Sequence, residues 1–142
     1  MTTFQFEREW DVSAAPDDVR EVLLDLEHYP EWWPQVRAVA KIDDDTARVL
    51  CRSVLPYTLD LVLHAEERGH EVLRSAIGGD LEGWSSFRLS GDGVRTHLVY
   101  EQTVVVAHRL LARASRALGP VLRWNHDQMM RGCERGLAGR VR

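Results

Sequence analysis

The segment that most constrains the fold is residues 14–34, which reads as a short amphipathic helix leading into two tryptophans. Pro16 suits the first turn of a helix, where its missing N–H costs nothing. Asp17 and Asp18 follow, and their negative charge is favourable at the N-terminal end of the helix dipole. Apolar residues then recur at helical spacing and predict one buried face: Val19, Val22, Leu23 and Leu26.

The helix is expected to end at Tyr29, because Pro30 disfavours the helical conformation of the residue before it. A single further turn, residues 31–34, then presents Trp32 and Trp33 and is closed by a second proline. Two large aromatic side chains on a short turn suit the mouth of an apolar cavity. The segment therefore predicts a lid over a binding site rather than a catalytic motif.

Length and composition indicate one domain over residues 1–142. A chain with 44% hydrophobic residues and five tryptophans can bury a core without disulfides or metals. It has neither an apolar run that could span a bilayer nor the start of a signal peptide, so we expect a cytoplasmic protein. Cys51 and Cys133 are expected to be buried as small hydrophobic residues, and no Cys/His spacing resembles a metal site.

The net charge of −4 hides an asymmetry between the two parts of the chain. Residues 1–107 hold 20 acidic and 10 basic residues, whereas residues 108–142 hold eight arginines against Asp127 and Glu134. A basic segment can bind nucleic acid or an anionic membrane surface. It can equally be a helix with a solvated arginine face. We favour the second interpretation and expect no nucleic-acid partner.

Alternating apolar residues predict a strand at the N-terminus, formed by Phe4, Phe6, Trp10 and Val12. Arg8 falls on the same face, so it either reaches an edge of the sheet or faces a polar spot inside. Turn residues then separate six more apolar segments, which predict antiparallel strands. Their expected spans are 36–42, 47–55, 57–66, 70–77, 81–90 and 94–106.

After Ala107 the apolar pattern becomes helical and continues to about Gly139. Gly119-Pro120 interrupts it, and a proline inside a helix predicts a kink. The residues on or near the apolar face are Leu111, Ala114, Leu118, Val121, Leu122, Asn125, Met129, Gly132, Cys133 and Gly136.

Seven strands cannot hide an apolar face under one short helix, but a curved sheet wrapped around a long helix can. We therefore predict an α+β helix-grip fold. A curved antiparallel sheet of about seven strands would surround a long C-terminal helix, with two short helices after the first strand.

Three further segments add motifs to the proline-bounded helix and its tryptophans. They are Leu55-Pro56-Tyr57, Gly79-Asp80-Leu81-Glu82-Gly83, and Asn125-His126 followed by Gly132 and Gly136-Leu137. Together these segments resemble the START-like (SRPBCC) superfamily, which includes polyketide cyclases and dehydrases, lipid-transport-like proteins and coenzyme Q-binding proteins. The Gly79–Gly83 segment looks like that of its actinobacterial members. The resemblance covers about Phe4 to Leu137 and implies the same helix-grip fold.

The resemblance implies that the protein binds a hydrophobic small molecule, aromatic, polycyclic or lipid-like, between the sheet and the last helix. It places the face of the last strand that carries Tyr100 and Gln102 inside, which gives an apolar pocket with a few polar groups. Asn125 lies on the apolar face of the last helix, where its amide either binds backbone or contacts the ligand. The expected ligand-binding residues are Trp32, Trp33, Tyr57, Leu59, Leu61, Tyr100, Gln102, Asn125 and Met129.

One alternative is a polyketide aromatase/cyclase or dehydratase that acts by positioning and proton transfer. Its candidate proton carriers are Tyr100, His126 and Arg74. Arg52 and Arg74 are also candidates for an interior cation, although we favour a solvated side chain for each. Another alternative is an interaction protein that uses the arginine-rich helix. Motifs for hydrolases, metalloproteases, phosphate loops and dinucleotide binding are missing, so we expect no cofactor and no metal. The protein is expected to be a monomer or a homodimer.

Overall fold

A computed structural model of the chain describes residues 3–107, 109, 112, 113 and 117–141. Its elements follow the predicted order of one strand, two short helices, six strands and a long helix. They are β1 (Thr3–Val12), α1 (Pro16–Leu24), a 3₁₀ helix (Leu26–Glu31), β2 (Val36–Lys41), β3 (Thr46–Cys51), β4 (Leu59–Arg68), β5 (Val72–Gly79), β6 (Leu81–Gly91), β7 (Thr96–Val106) and α2 (Gly119–Arg140).

The seven strands form one antiparallel sheet in the order β1-β7-β6-β5-β4-β3-β2. The sheet is curved around α2, which confirms the helix-grip fold. Gly83 on β6 permits a close approach to β7, because a Cβ atom there would lie 1.9 Å from the carbonyl oxygen of Thr103. A residue with a side chain could not take this position without moving one of the two strands.

β7 alternates strictly between the two faces of the sheet. Thr96, Leu98, Tyr100 and Gln102 are buried, whereas the residues between them are half-buried on the outer face. This confirms the predicted face of the last strand. Two side chains that can form hydrogen bonds, Tyr100 and Gln102, thereby face the concave side of the sheet.

The first helix is shorter than the sequence predicts. α1 ends at Leu24, because Asp25 leaves the helical conformation at φ −86° and ψ 68°. The chain continues as a 3₁₀ helix that contains Pro30, so the expectation of one helix up to Tyr29 is wrong. The hydroxyl of Tyr29 donates to the carbonyl of Leu23, which closes this turn back onto α1.

The last helical run is interrupted where the sequence predicts a kink, because Ala117 is helical and Leu118 leaves the helical conformation at φ −108° and ψ 19°. α2 begins at Gly119, and Pro120 lies in its first turn, where no backbone hydrogen bond is lost. Two residues of the predicted apolar face, Leu111 and Ala114, lie outside the described residues. Among those described, no helix is both long enough and apolar enough to cross a membrane.

α2 packs so closely on the segment after the 3₁₀ helix that two of its glycines leave no room for a side chain. A Cβ atom on Gly136 would lie 1.7 Å from the carbonyl oxygen of Trp32, and one on Gly132 would lie 1.9 Å from Oε1 of Gln35. Three larger residues of the same part of the helix are fully buried: Met130, Cys133 and Leu137. The C-terminal half of α2 is therefore packed directly on the Trp turn.

Arg8 of β1 fixes the other side of α2. Its Nη1 atom donates to Asp127 at 2.8 Å, and its Nη2 and Nε atoms donate to Glu134 at 2.8 and 3.2 Å. The guanidinium is half-buried, and a charge-assisted pair of this kind is stronger than a neutral hydrogen bond. Arg8 therefore joins the edge of the sheet to the helix.

We expect Gly136→Ala to destabilise the protein by about 1–3 kcal/mol, because the added methyl group must displace α2 from Trp32. Gly139→Ala is the matched control, since a Cβ atom there meets nothing within 4 Å. The control should leave the free energy of unfolding unchanged or raise it by up to about 1 kcal/mol, because alanine has a higher helix propensity than glycine. Urea unfolding followed by tryptophan fluorescence measures both, and equal effects would contradict the packing described here.

Candidate functional site

A cavity of about 360 Å³ lies between the concave face of the sheet and the first half of α2. Its walls are mainly apolar and include Leu59, Leu61 and Leu63 of β4 and Phe87 of β6. α2 contributes Met129. Apolar walls around a concave space of this size are typical of small-molecule sites.

Three polar side chains meet at the inner wall. The hydroxyl of Tyr100 donates to Oε1 of Gln102 on the same strand. Nε2 of His126, on α2, lies 3.2 Å from the same oxygen. Because an amide oxygen only accepts hydrogen bonds, His126 carries its proton on Nε2. Its Nδ1 atom forms no hydrogen bond to the described residues.

Burial keeps both titratable members of this cluster uncharged at neutral pH. It lowers the pKa of His126 from 6.5 to about 4, and the nearby guanidinium of Arg8 acts in the same direction. Burial raises the pKa of Tyr100. The His126 ring also stacks on Phe6 of β1, with 3.7 Å between the ring centroids. The cluster is therefore neutral and held in place from two sides.

Charged side chains surround the outer end of the cavity, where the 3₁₀ helix faces the β2–β3 turn and the end of β4. Two cations line this end, Lys41 and Arg68. Six carboxylates line it too, and together they are named the acidic entrance: Asp25, Glu27, Asp43, Asp44, Asp45 and Glu67. The cavity therefore changes from charged at the outer end to neutral at the inner wall.

Six of the nine predicted ligand-binding residues line the cavity: Trp33, Leu59, Leu61, Tyr100, Gln102 and Met129. Trp33 is buried, and its indole nitrogen donates to the carbonyl of Met129 at 2.9 Å. Trp32 is also buried but lines a separate pocket on the other side, next to His28 and Arg140. The two indoles stack on each other with 5.8 Å between their ring centroids, and Trp33 alone of the two lines the cavity.

The structure places Asn125 and Tyr57 away from the cavity lining. Oδ1 of Asn125 accepts hydrogen bonds from the backbone N–H groups of Val54 and Leu55, each at 2.9 Å. This tie ends β3 at Cys51, earlier than predicted, and holds the following loop against α2. Tyr57 lies in that loop, before β4 begins.

Neither of the two candidate arginines, Arg52 and Arg74, places its guanidinium inside the cavity. Arg52 is exposed. Arg74 borders the cavity, but its guanidinium lies over the ring of Trp84 at 4.2 Å and donates to Glu66 at 3.3 Å. Trp84 is on the opposite face of β6 from Phe87, so this guanidinium points away from the cavity.

Other lining residues were not singled out by the sequence, notably Ser75 and Ser85. Alternation along β6 could have found Ser85, because it shares the face of Phe87 and Leu89. No group of three or more metal-ligating side chains occurs among the residues that the structure describes.

Residues 3–138 match the model of a protein family described as polyketide cyclase/dehydrase and lipid transport. The Zhui aromatase/cyclase from Streptomyces sp. R1128 has a similar structure, with a TM-score of 0.82, 16% identity, and 99% of this chain and 94% of that chain covered. A START superfamily protein from Mycobacterium smegmatis gives a TM-score of 0.76 at 17% identity over 96% of both chains.

The protein TTHA0849 from Thermus thermophilus gives a TM-score of 0.83 at 15% identity over 97% of both chains. At these identities the structural likeness establishes the fold and not the activity. No curated protein is significantly similar in sequence.

The lowered pKa of His126 predicts an acid-sensitive fold. Between the folded pKa of about 4 and the ordinary value of 6.5, the unfolded chain binds more protons, so stability falls as the pH falls through this window. Between pH 7 and pH 5, we expect the free energy of unfolding of the wild type to fall by about 2 kcal/mol more than that of His126→Gln. Urea unfolding of both proteins at the two pH values measures this, and parallel losses would refute a neutral, buried His126.

Proposed function

Because the chain belongs to the polyketide cyclase/dehydrase and lipid transport family, we propose that it binds a hydrophobic small molecule, ring-containing or lipid-like, in the cavity under α2. The observation that carries the proposal is the apolar cavity with a neutral polar cluster on its inner wall. Apolar walls favour binding through burial, and the few polar groups favour one orientation of the ligand.

The size of the cavity supports a moderate affinity. Burying about 200 Å² of apolar ligand surface contributes about 5 kcal/mol, and hydrogen bonds to the inner cluster add to this. The loss of translational and rotational freedom offsets part of the gain. A net binding free energy of about 5 kcal/mol corresponds to a dissociation constant of about 0.2 mM, so we propose affinities in the submillimolar range for ligands of two or three fused rings.

The test is a titration with N-phenyl-1-naphthylamine, an uncharged probe whose fluorescence rises in apolar surroundings. The wild type should bind it, and Ser75→Trp should weaken binding at least tenfold, because an indole fills space next to the apolar walls. Ser90→Trp, the same substitution at an exposed position of β6 outside the cavity, is the matched control.

Circular dichroism establishes that both variants are folded. Equal binding by the two variants would place the probe elsewhere and overturn the proposal. Added salt should leave the affinity for the probe unchanged, because an uncharged molecule has no charge that salt can screen.

A second candidate function is cyclisation of a poly-β-ketone. The observation that favours it is the convergence of two proton-carrying groups, Tyr100 and His126, on one amide oxygen beside the cavity. Neutral His126 keeps a lone pair on Nδ1 and can accept a proton from carbon. Protonated Tyr100 can donate to the carbonyl oxygen on which charge develops.

For this candidate, Tyr100→Phe and His126→Ala should each lower turnover of a synthetic poly-β-ketone thioester by about 100-fold or more. Binding of the uncharged probe should remain within a few-fold of the wild type. Product analysis by liquid chromatography against the spontaneous reaction measures turnover. Variants that keep the wild-type rate exclude these residues as proton carriers.

A further inference from the structure

We propose that the cavity selects an uncharged ligand that places a hydrogen-bond-accepting oxygen against Gln102, and that the acidic entrance rejects molecules carrying a carboxylate. This inference rests on the proposed binding function and specifies the chemistry of the ligand. Two independent features carry it, one at each end of the cavity.

At the outer end, negative charge exceeds positive charge. Three of the six carboxylates have a cationic or histidine partner. Nζ of Lys41 lies 3.6 Å from Oδ1 of Asp44, and Nη1 of Arg68 donates to Oδ1 of Asp45 at 2.6 Å. Nδ1 of His28 lies 2.7 Å from Oδ1 of Asp25. Three carboxylates of the acidic entrance have no cationic partner among the described residues: Glu27, Asp43 and Glu67. The neighbouring Arg20 is not among the residues that line the cavity, and its guanidinium donates to the carbonyls of Arg68 and Gly69.

The inner wall offers an anion no compensating charge. His126 is neutral, and the guanidinium of Arg74 lies on the outer face of the sheet. A carboxylate that entered head first would lose its hydration without gaining a cation. A carboxylate that stayed at the outer end would face the acidic entrance. An anionic ligand is therefore disfavoured in both orientations.

Gln102 is the residue that favours a ligand with a hydrogen-bond-accepting oxygen. The residue is 7% exposed, and its Oε1 atom already accepts from Tyr100 and lies within bonding distance of His126. The amide nitrogen of Gln102 donates to none of the residues that the structure describes. An amide N–H left without a partner beside an apolar space is costly, so a ligand oxygen that accepts from it gains affinity.

The distance across the sheet sets the form of the test. β7 and β3 are four strand spacings apart, about 19 Å at about 4.8 Å each. Because the sheet is curved, the direct distance is shorter than this path, so a naphthalene that places a ketone on Gln102 holds a substituent at its far end within about 10 Å of the acidic entrance. Charges at such a separation interact at low salt and are screened at high salt.

The experiment uses four naphthalenes, each competing with N-phenyl-1-naphthylamine for the full-length protein. 2-Acetylnaphthalene and 2-isopropylnaphthalene differ in the accepting oxygen. 6-Acetyl-2-naphthoate and its methyl ester differ in the negative charge. We expect the ester to bind at least tenfold more tightly than the acid at low salt, with a smaller difference at high salt.

Variants assign the two effects to their residues. Gln102→Leu should lower the preference for the ketone over the hydrocarbon about tenfold, and binding of the hydrocarbon reports whether this variant keeps its cavity. The triple variant Glu27→Gln, Asp43→Asn, Glu67→Gln should narrow the ester-to-acid difference at least threefold. Its matched control neutralises three carboxylates on the outer face of the sheet, in Glu7→Gln, Glu82→Gln, Glu101→Gln.

The outcomes separate this inference from the proposed function. If the hydrocarbon and the ester bind but the acid binds as tightly as the ester, the inference is overturned and cavity binding stands. The same holds if Gln102→Leu still prefers the ketone over the hydrocarbon. The same holds if the control triple variant recovers acid binding as well as the entrance variant does. If the probe binds in the cavity but no naphthalene displaces it, the inference alone is overturned. If the probe does not bind, or binds Ser75→Trp and Ser90→Trp equally, both are overturned.

Discussion

The contact between Gly136 and the carbonyl of Trp32 determines where the cavity can exist. It brings the C-terminal half of α2 down onto the Trp turn, and Cys133 and Leu137 are fully buried there. The N-terminal half is fixed by a different tie, from Asn125 to the loop after β3. A helix held at both ends cannot sink into the concave sheet between them. The space under Met129 and His126 therefore stays open although apolar side chains surround it.

The same arrangement separates charge from polarity along the cavity. The inner wall lies under α2 on β7, where burial keeps Tyr100 and His126 neutral. The outer end lies beyond the edge of the helix, where turns carry exposed carboxylates such as Asp43. The backbone N–H of Asp45 lowers the pKa of Asp43, so that carboxylate stays ionised well into the acid range. The charge difference thus follows from which parts of the sheet the helix covers.

Much of the fold could be predicted from periodicity, because alternation and helical spacing report local burial directly. Alternation divided the residues of β7 into two faces, and the family resemblance indicated which of the two lies inside. The site was harder, because neighbouring residues on a helix differ by 100° in direction and a sequence does not fix the rotation of the helix. Asn125 and His126 show this: the predicted polar contact on the apolar seam is a loop tie, whereas the flanking histidine lines the cavity. The acidic entrance joins segments far apart in sequence, and no local pattern indicates it.

The hydrogen bonds of the inner cluster favour binding over catalysis as the resting role of the site. Tyr100 donates to Gln102, and the only N–H of His126 points to the same oxygen. Tyr100 must release that bond before it can protonate a ligand, which costs about as much as one buried hydrogen bond. The amide nitrogen of Gln102 needs no such exchange to meet a ligand oxygen. A catalytic cycle in this cavity therefore requires the ligand to take the place of Gln102 as the partner of Tyr100, whereas orientation of a bound ligand requires no rearrangement.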